Sequence, residues 1–382
     1  MEEKNLIKSG EIVNYANKID AVVCDALKIK GEEFADEIEK NFVTGFKKEG
    51  DKMVHVSTFT FIDDEIYMTY YANPITEHED PYYQTARLVY CKNKDLDNKV
   101  YLDLQKAGDT YDGKIVDAVY DTILMQKDNK TLYLMWTACL AGDYYRLYRT
   151  FNVAAKELGE INANRLIVKD KEIPFCFSGI QKVFTETQLG YKKMYSDIGI
   201  MQKLSYRIEN GEKYYYTGAY SGDFNFIIKS RDLITWEFVA MPDFINLSKW
   251  ENAVYVAGDK CFYFVRQQQD NKYGFLTCLN LNDNTWEPPV LIEDCQSRSD
   301  FIFYNGNLYL FHAPVDREHI GVVKVDMNNI SESKIVFQAK MKESCFYPYI
   351  QYGNNKLYMS YTMNRKQIKL AEFTPDKYFD VK

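Results

Sequence analysis

Short runs of alternating apolar and polar residues recur along the chain, and turns of Asn, Asp or Gly join these runs in pairs. Alternation of this kind predicts half-buried β-strands, and Asn and Gly tolerate the positive φ that tight hairpin turns require. A tyrosine marks the second run of each hairpin, and the six marker positions are Tyr67, Tyr133, Tyr215, Tyr263, Tyr309 and Tyr358. The pattern therefore predicts one strand-turn-strand unit repeated six times.

The spacing of the marker tyrosines indicates the architecture. Successive markers lie 66, 82, 48, 46 and 49 residues apart. A repeat of roughly 40 to 50 residues with several strands is typical of a β-propeller blade. We therefore predict an all-β fold with a six-bladed β-propeller over residues 53–382, and a five-bladed propeller as the alternative. Loops from all blades of a propeller meet around its central axis, where we expect the functional site.

Two segments fall outside the repeat. Residues 1–52 form an N-terminal extension in which residues 32–40 have the apolar spacing of a short helix. The rest of this extension is expected to lie against the propeller or to add a strand to its last blade. The connection between blades two and three, residues 156–196, is longer than an ordinary link, and long loops on rigid scaffolds often cover a site.

Composition and charge narrow the classes of partner. The net charge is −8 and no run of Lys or Arg stands out, which argues against a nucleic-acid partner. The N-terminus lacks the apolar core of a signal peptide and no apolar stretch is long enough to span a bilayer, so we predict a cytoplasmic protein without a membrane partner. The eight cysteines are scattered without a CxxC pair, which predicts free thiols and neither a metal site nor another cofactor.

A count back from each marker tyrosine locates the residues expected at the axis. We expect the innermost strand of each blade to begin about twelve residues before its marker tyrosine. Blade three does not follow this spacing, and there we take the first residue of the strand. The six positions are occupied by His55, Asp121, Asp197, Glu251, Arg298 and Tyr347. A polar, water-filled axis explains this pattern as well. The mixture of carboxylates, Arg and Tyr favours a sugar-cleaving pocket, because neighbouring carboxylates push their pKa values apart and divide into an acid and a base.

Several candidates have both a structural and a functional interpretation. Arg266 ends the second strand of blade four, where it forms either a surface salt bridge or a clamp for an anion. Arg298 either pairs with Asp300 or contacts a ligand. His312 belongs either to the core or to the pocket, and Asp80 belongs to a polar loop between strands of blade one.

Two blades end in a turn that places an acidic residue shortly before Thr-Trp. These turns are residues 230–236 (SRDLITW) and 282–286 (NDNTW). We expect Asp232 and Asp283 to accept hydrogen bonds from backbone N–H groups of the turn, and the tryptophans to pack between sheets. The expected role of these turns is structural.

The two turns resemble degenerate copies of the Asp-box (BNR repeat) of the sialidase, or neuraminidase, superfamily of six-bladed propellers, which reads Ser-x-Asp-x-Gly-x-Thr-Trp. Both copies lack the Gly, and the second also lacks the Ser. The stretch from Trp250 and Glu251 to Arg266 is similar to the sialidase segment that carries a catalytic Glu and then a substrate-binding Arg. The stretch Phe346-Tyr347-Pro-Tyr-Ile is similar to the sialidase nucleophile strand in the last blade.

The resemblance implies a sialidase-like glycoside hydrolase that removes a terminal sugar from short glycans. Tyr347 would be the nucleophile and Glu251 its general base, since a neutral Tyr suits attack beside the carboxylate of a sialoside. Arg266 and Arg298 would bind that carboxylate through their guanidinium groups. The acid that protonates the leaving oxygen would be Asp80 or Asp121. Further substrate contacts would come from His55, Asp197 and His312.

One departure keeps other functions open. Sialidases begin blade one with an Arg-Ile-Pro motif whose Arg binds the substrate carboxylate, and here the matching place reads His55-Val56-Ser57. Propeller lyases that act on uronate polymers use His, Tyr and Arg, which His55, Tyr347 and Arg266 would supply. A non-catalytic carbohydrate-binding propeller is the third possibility. The sugar, the linkage and the oligomeric state are not determined by these patterns.

Overall fold

The computed structural model describes residues 13–14, 21–189, 197–222, 224–242, 251–266, 273–314, 316–353 and 356–379. These residues fall into two compact units. As far as they are described, unit 1 combines Met1–Gly45, Pro242–Asn364 and Lys369–Lys382, and unit 2 combines Phe46–Met241 and Arg365–Ile368. The expected boundary between residues 52 and 53 stays a prediction.

The fold is all-β and propeller-like, with two α-helices, as the repeat predicts. The described strands form six sheets, and each sheet contains one marker tyrosine. The predicted count of six blades is nevertheless wrong, and the fold is that of a five-bladed propeller, the alternative prediction. The third sheet is irregular, because two short strands, Ile198–Ile200 and Ser205–Glu209, share one neighbour, Glu212–Ser221. This sheet therefore lacks the regular four-stranded meander of a blade.

The N-terminal extension supplies one helix and two strands. Strand β1 (Val13–Asn14) pairs in parallel with residues 290–291, and helix α1 (Ala21–Lys40) contains the predicted helix and extends it. Strand β2 (Phe42–Phe46) adds the outermost strand to the last sheet, which is one of the two expected placements. Phe34 of α1 is fully buried against the apolar face of unit 1.

The first two sheets of unit 2 are antiparallel. The first sheet contains β3 (Met53–Ile62), β4 (Glu65–Asn73), β5 (Thr85–Lys92) and β6 (Asp95–Lys106). The second sheet contains β7 (Thr110–Tyr111), β8 (Lys114–Gln126), β9 (Thr131–Leu140), β10 (Asp143–Asn152), β11 (Glu157–Leu158) and β12 (Asn162–Ala163). Their facing apolar side chains form a core around the fully buried Trp136.

The third sheet of unit 2 takes up most of the long connection. It contains β13 (Arg165–Val168), β14 (Lys171–Pro174), β15 (Ile198–Ile200), β16 (Ser205–Glu209), β17 (Glu212–Ser221), β18 (Phe224–Ser230) and β19 (Thr235–Ala240). Helix α2 (Phe177–Glu186) packs its apolar side on the same core as Trp236. The connection expected to cover a site is thus largely strands and a helix, although residues 190–196 lie outside the described part.

Unit 1 contains the three remaining sheets. The first contains β20 (Asn252–Ala257), β21 (Lys260–Arg266), β22 (Tyr273–Asn280), β23 (Thr285–Trp286) and β24 (Val290–Glu293). The second contains β25 (Gln296–Tyr304), β26 (Asn307–Ala313), β27 (His319–Val325) and β28 (Lys334–Lys340). The last contains β29 (Cys345–Gly353), β30 (Lys356–Met363) and β31 (Gln367–Phe373). Trp250, which begins the predicted fourth blade, lies outside the described residues.

The two Asp-containing turns have the predicted local structure. One Asp232 carboxylate oxygen accepts hydrogen bonds from two successive backbone N–H groups of its turn, each at 2.8 Å, and Trp236 is fully buried. Asp283 accepts a hydrogen bond from the backbone N–H of Thr285 at 3.0 Å. The capping role of these aspartates is confirmed, whereas their relation to the Asp-box stays a prediction.

Three observations bear on location and cofactors. Within the described ranges, no helix combines the length and the apolar character needed to cross a membrane. Seven cysteines of the described part are free thiols, and all seven are buried. Among the residues that the structure describes, no three His, Cys, Asp or Glu side chains are grouped so that they could hold a metal ion.

Candidate active site

Two bulged strands of unit 1 carry candidate residues. The bulge in β29 lies between Phe346 and Tyr349, and Tyr347 inside it has a φ of 56°. The bulge in β25 lies between Gln296 and Asp300. A positive φ is uncommon for a bulky residue, and a bulge bends the strand and turns its side chains away from the regular alternation. The backbone, and not the sequence pattern alone, therefore sets the direction of the Tyr347 side chain.

A hairpin places Glu251 and Arg266 side by side. Glu251 directly precedes β20 and Arg266 ends the neighbouring strand β21. The backbone N–H of Arg266 donates to the carbonyl of Glu251 at 3.1 Å, so both side chains start from the same end of the sheet. The Glu251 side chain is 5% exposed and the Arg266 side chain is 12% exposed, so the two form an almost fully buried ion pair.

Four of the predicted site residues lie together around the Tyr347–Glu251 hydrogen bond. The hydroxyl of Tyr347 donates to Oε1 of Glu251, and Nη1 of Arg266 donates to Oε2. The guanidinium carbon of Arg298, which lies in the bulge of β25, is 5.4 Å from the centre of the Tyr347 ring. This geometry combines a cation–π contact with a charge-assisted hydrogen-bond network. The structure thus brings together Glu251, Arg266, Arg298 and Tyr347, which we call the tyrosine–glutamate cluster.

Charge governs the state of this cluster. Burial raises the pKa of Glu251, but the positive charges of Arg266 and Arg298 outweigh burial and hold the pKa below its ordinary value of 4.5. Burial lowers the pKa of Arg266, but the Glu251 carboxylate outweighs it and raises that pKa above its ordinary value. Both groups are therefore charged at neutral pH. An ionised Glu251 can accept the phenolic proton of Tyr347, which is what a general base for a tyrosine nucleophile must do.

The Arg266 guanidinium keeps a donor for a ligand. Its Nε–H is buried and has no hydrogen-bond partner among the described residues. A buried donor without an acceptor costs roughly 1 to 3 kcal/mol, and an anionic ligand would remove that cost. The cluster can therefore bind an anion beside a nucleophile.

His312 lies one strand away from this cluster. It belongs to β26 and faces the bulge residues of β25 in the strand register, because its neighbours on either side pair with the two ends of that bulge. The side chain is fully buried, and neither ring nitrogen has a hydrogen-bond partner in the described part of the chain. Burial lowers the pKa of His312 to about 3. The histidine is thus neutral at physiological pH and packs over Gly321, where a Cβ would clash with the ring.

Asp121 in unit 2 is bound to an arginine that the sequence patterns did not single out. Arg146 is fully buried, and its Nη1 donates to the Asp121 carbonyl and to Thr137 Oγ1, each at 2.8 Å. The same nitrogen lies 3.4 Å from Oδ2 of Asp121. Asp121 itself sits in a bulge of β8 with a φ of 52°, so Arg146 holds both its backbone and its carboxylate.

The remaining candidates of unit 2 have different surroundings. Asp197 accepts a hydrogen bond from the Tyr120 hydroxyl. His55 is fully buried, with its ring edge against Tyr71 at a centroid distance of 5.7 Å. Asp80 is partly exposed and caps a 3₁₀ turn, accepting a hydrogen bond from the Tyr82 backbone N–H at 3.1 Å.

Asp300, which the sequence offers as a partner of Arg298, links two strands. Its buried carboxylate accepts a hydrogen bond from the backbone N–H of Ile350 at 2.8 Å, which ties β25 to β29. In unit 2, Thr58 Oγ1 forms the same kind of bond with the backbone N–H of Leu124 at 2.6 Å. In the sequence, Asp300 and Thr58 stand out only as polar residues in apolar strands, shortly after the predicted axis residues Arg298 and His55.

No family model and no curated protein matches this chain. Solved structures do match. A microbial sialidase, Hadza Hz136, is 10% identical with a TM-score of 0.58, over 87% of this chain and 67% of that one. NanB, solved with Optactamide, is 9% identical with a TM-score of 0.56, over 88% and 71%. A protein of unknown function from Dyadobacter fermentans is 11% identical with a TM-score of 0.55, over 87% and 98%. These likenesses show the fold, a propeller of the kind that glycoside hydrolases also have.

Proposed function

We propose that this protein is a glycoside hydrolase that removes a terminal, negatively charged sugar from short glycans in the manner of a sialidase. The observation that carries the proposal is the hydrogen bond from Tyr347 to the ionised Glu251, with Arg266 and Arg298 beside it. A neutral phenol activated by a carboxylate can attack a sugar that carries its own negative charge, where a carboxylate nucleophile would be repelled. The fold shared with a microbial sialidase supports the same activity.

In this proposal Tyr347 attacks the anomeric carbon and Glu251 accepts the phenolic proton. Arg266 and Arg298 bind the substrate carboxylate, and the Nε–H of Arg266, which has no partner among the described residues, supplies one of the donors. The sequence offers Asp80 and Asp121 for the acid; Asp121 is buried and held by Arg146, whereas Asp80 is partly exposed.

The first experiment is an assay of the purified protein against fluorogenic glycosides, including a conjugate of N-acetylneuraminic acid. Tyr347→Phe and Glu251→Gln are expected to abolish turnover while substrate binding persists. The matched control is Tyr352→Phe, because Tyr352 lies in the same strand and is 54% exposed. Near-normal rates in both cluster variants would refute the assigned roles.

The pH profile tests the base. Because the pKa of Glu251 is held below 4.5, kcat/KM is expected to stay high as the pH falls and to decline only below about 4.5. Replacing Arg266 by Met removes a positive charge from Glu251 and should move this decline to higher pH. A decline that does not move in the variant would contradict the assignment of Glu251.

The two alternatives predict different products. A lyase acting on uronate oligomers would release an unsaturated product that absorbs in the ultraviolet, and it would need His55, which is fully buried. A carbohydrate-binding protein would bind glycans without releasing any product. Sialoside release that is lost in Tyr347→Phe would exclude both alternatives.

A further inference from the structure

Unit 2 contains a cavity of about 420 Å³, which we call the Arg149 cavity. Its size lies within the range of roughly 300 to 1,000 Å³ that is usual for small-molecule sites. The residues that line it are the half-buried Tyr111, Arg149 and Ile161 and the exposed Thr110, Asp112 and Glu160. All of them belong to unit 2, whereas the tyrosine–glutamate cluster belongs to unit 1. The cavity is therefore a separate candidate site.

A tight hairpin supplies one side of the Arg149 cavity. Tyr111 in β7 pairs with Lys114 in β8, so the turn between the two strands consists of Asp112 and Gly113 alone. Their φ angles are 47° and 71°, and two successive positive values are typical of the type I′ turn, for which Asp-Gly is a preferred sequence. The backbone that carries Tyr111 and Asp112 is therefore fixed by its own turn before a ligand binds.

The long connection after blade two supplies another side of the cavity. Strands β11 and β12 of this connection pair with β10, and residues 159–161 between them face only Arg149 and Thr150. An extra residue on one strand makes a β-bulge, which re-aims side chains and is common beside functional sites. Gly159 permits the close approach, since a Cβ there would lie 2.5 Å from Oγ1 of Thr150. The segment that was expected to cover a site thus contributes two of the lining residues.

Arg149 is held in place by the backbone on both sides. Its Nε–H donates to the carbonyl of Gly159 at 2.7 Å, and its Nη1 donates to the carbonyl of Leu104 in β6 at 3.3 Å. Burial lowers the pKa of Arg149, while the carboxylate of Glu160 acts in the opposite direction, which shows that the two charges are close. A guanidinium has five N–H donors, so the two backbone bonds fix its orientation and leave donors for a ligand.

The charges around the cavity favour an uncharged ligand. Arg149 brings one positive charge, and Asp112 and Glu160 bring one negative charge each. The carboxylates would repel an anion, and the guanidinium would repel a cation. A sugar hydroxyl both donates and accepts hydrogen bonds, so one pyranose ring can donate to the carboxylates and accept from the guanidinium. The ring of Tyr111 offers an apolar face for the C–H groups of the same sugar.

We propose that the Arg149 cavity is a second carbohydrate-binding site, which takes an uncharged pyranose sugar. The proposal goes beyond the proposed hydrolase and shares no residue with it. It assigns a ligand to the long connection, whose bulge presents Glu160 and anchors Arg149 through the carbonyl of Gly159.

The test measures binding of small neutral glycosides to the whole protein. Titration calorimetry with the methyl glycosides of glucose, galactose, mannose and N-acetylglucosamine is expected to show binding of at least one of them. Glu160→Ala should raise its Kd roughly 10- to 100-fold, because a charge-assisted hydrogen bond is lost. Tyr111→Ala should raise it roughly 2- to 10-fold, because the stacking face is lost. The matched control is Glu157→Ala, since Glu157 is exposed in the same connection and does not line the cavity.

A second pair of variants keeps the turns intact. Asp112→Asn removes one charge and retains a residue that tolerates positive φ, and it should also weaken binding. Its control is Asp170→Asn, because Asp170 is exposed and has a φ of 67° in another hairpin of unit 2. Circular dichroism spectra check that all variants are folded. Binding of no methyl glycoside, or an unchanged Kd in all three cavity variants, overturns the proposal.

Two further arms test the ligand class and the location. The methyl glycosides of glucuronic acid and glucosamine should bind more weakly than that of glucose, and tighter binding of either overturns a site for an uncharged sugar. Glu251→Gln in unit 1 should leave binding of the neutral glycoside unchanged, and a loss of binding in this variant would assign the sugar to the tyrosine–glutamate cluster instead. None of these measurements needs turnover, so a failure of the proposed hydrolase is distinguishable from a failure of the second site.

Discussion

Replacement of His312 by Phe separates a structural role of this residue from a role in binding. The His312 ring is fully buried over Gly321, and neither nitrogen has a hydrogen-bond partner among the described residues. Phe keeps a ring over the glycine and removes two unsatisfied polar atoms. The free energy of unfolding near neutral pH is therefore expected to stay equal or to rise.

The size of the effect on the free energy of unfolding follows from its pH dependence. Burial lowers the pKa of His312 to about 3 from an ordinary value of 6.5, so below pH 6.5 the unfolded chain binds a proton that the folded protein does not. The stability is thus lost as the pH falls from 6.5 towards 3. At one pKa unit per 1.36 kcal/mol, this residue alone costs about 2 to 3 kcal/mol between pH 6.5 and 4.5. In His312→Phe this part of the acid sensitivity should disappear.

Urea unfolding followed by tryptophan fluorescence at neutral pH and at about pH 4.5 measures the difference. The matched control for the change itself is His78→Phe, because His78 is exposed. Parallel pH dependences in the wild type and His312→Phe would refute the reasoning. If sialoside binding were lost while stability behaved as expected, His312 would belong to the binding site after all.

Three further predictions follow from the buried charges and from the cluster. Arg146→Met leaves the Asp121 carboxylate buried without its cation and should lower the free energy of unfolding by about 3 to 5 kcal/mol, part of which the added change Asp121→Asn restores; a loss below about 1 kcal/mol in urea unfolding would contradict this. Asp300→Leu removes the carboxylate that accepts a hydrogen bond from the Ile350 N–H and should lower kcat more than Asp300→Thr, since a threonine hydroxyl accepts the same kind of bond at position 58. Equal losses would argue against a positioning role. If Asp80 is the acid, Asp80→Asn should slow hydrolysis of sialyllactose more than that of N-acetylneuraminyl fluoride, whose leaving group needs no proton. An equal effect on both substrates would remove Asp80 as the acid.

The count from the marker tyrosines selected residues that the structure brings into contact in one place. It selected Glu251 and Tyr347, which the structure joins by a hydrogen bond. It could not register that Arg298 and Tyr347 lie inside bulges, because one extra residue in a strand changes the direction of a side chain without changing the composition.

The sequence pattern could not predict Arg146 as the buried partner of Asp121. Arg146 stands in an alternating strand among tyrosines, where an arginine is ordinarily exposed, yet its side chain is fully buried against Asp121. The choice between burial and exposure depends on whether a carboxylate and carbonyl oxygens from other strands reach the guanidinium, and those strands are distant in sequence.

The amino-acid sequence by itself determined the all-β fold, the repeated hairpin, the Asp-containing turns and most of the residue types at the candidate site. These properties follow from alternation, turn chemistry and spacing, which act over short stretches of chain. Only the tertiary structure decided which of those residues meet. Tyr347 and Glu251 are 96 residues apart in the chain, and their hydrogen bond exists because separate sheets place a bulge beside the end of a hairpin. The charge state of Glu251 was decided there too, because it depends on burial and on two arginines that the fold brings to it.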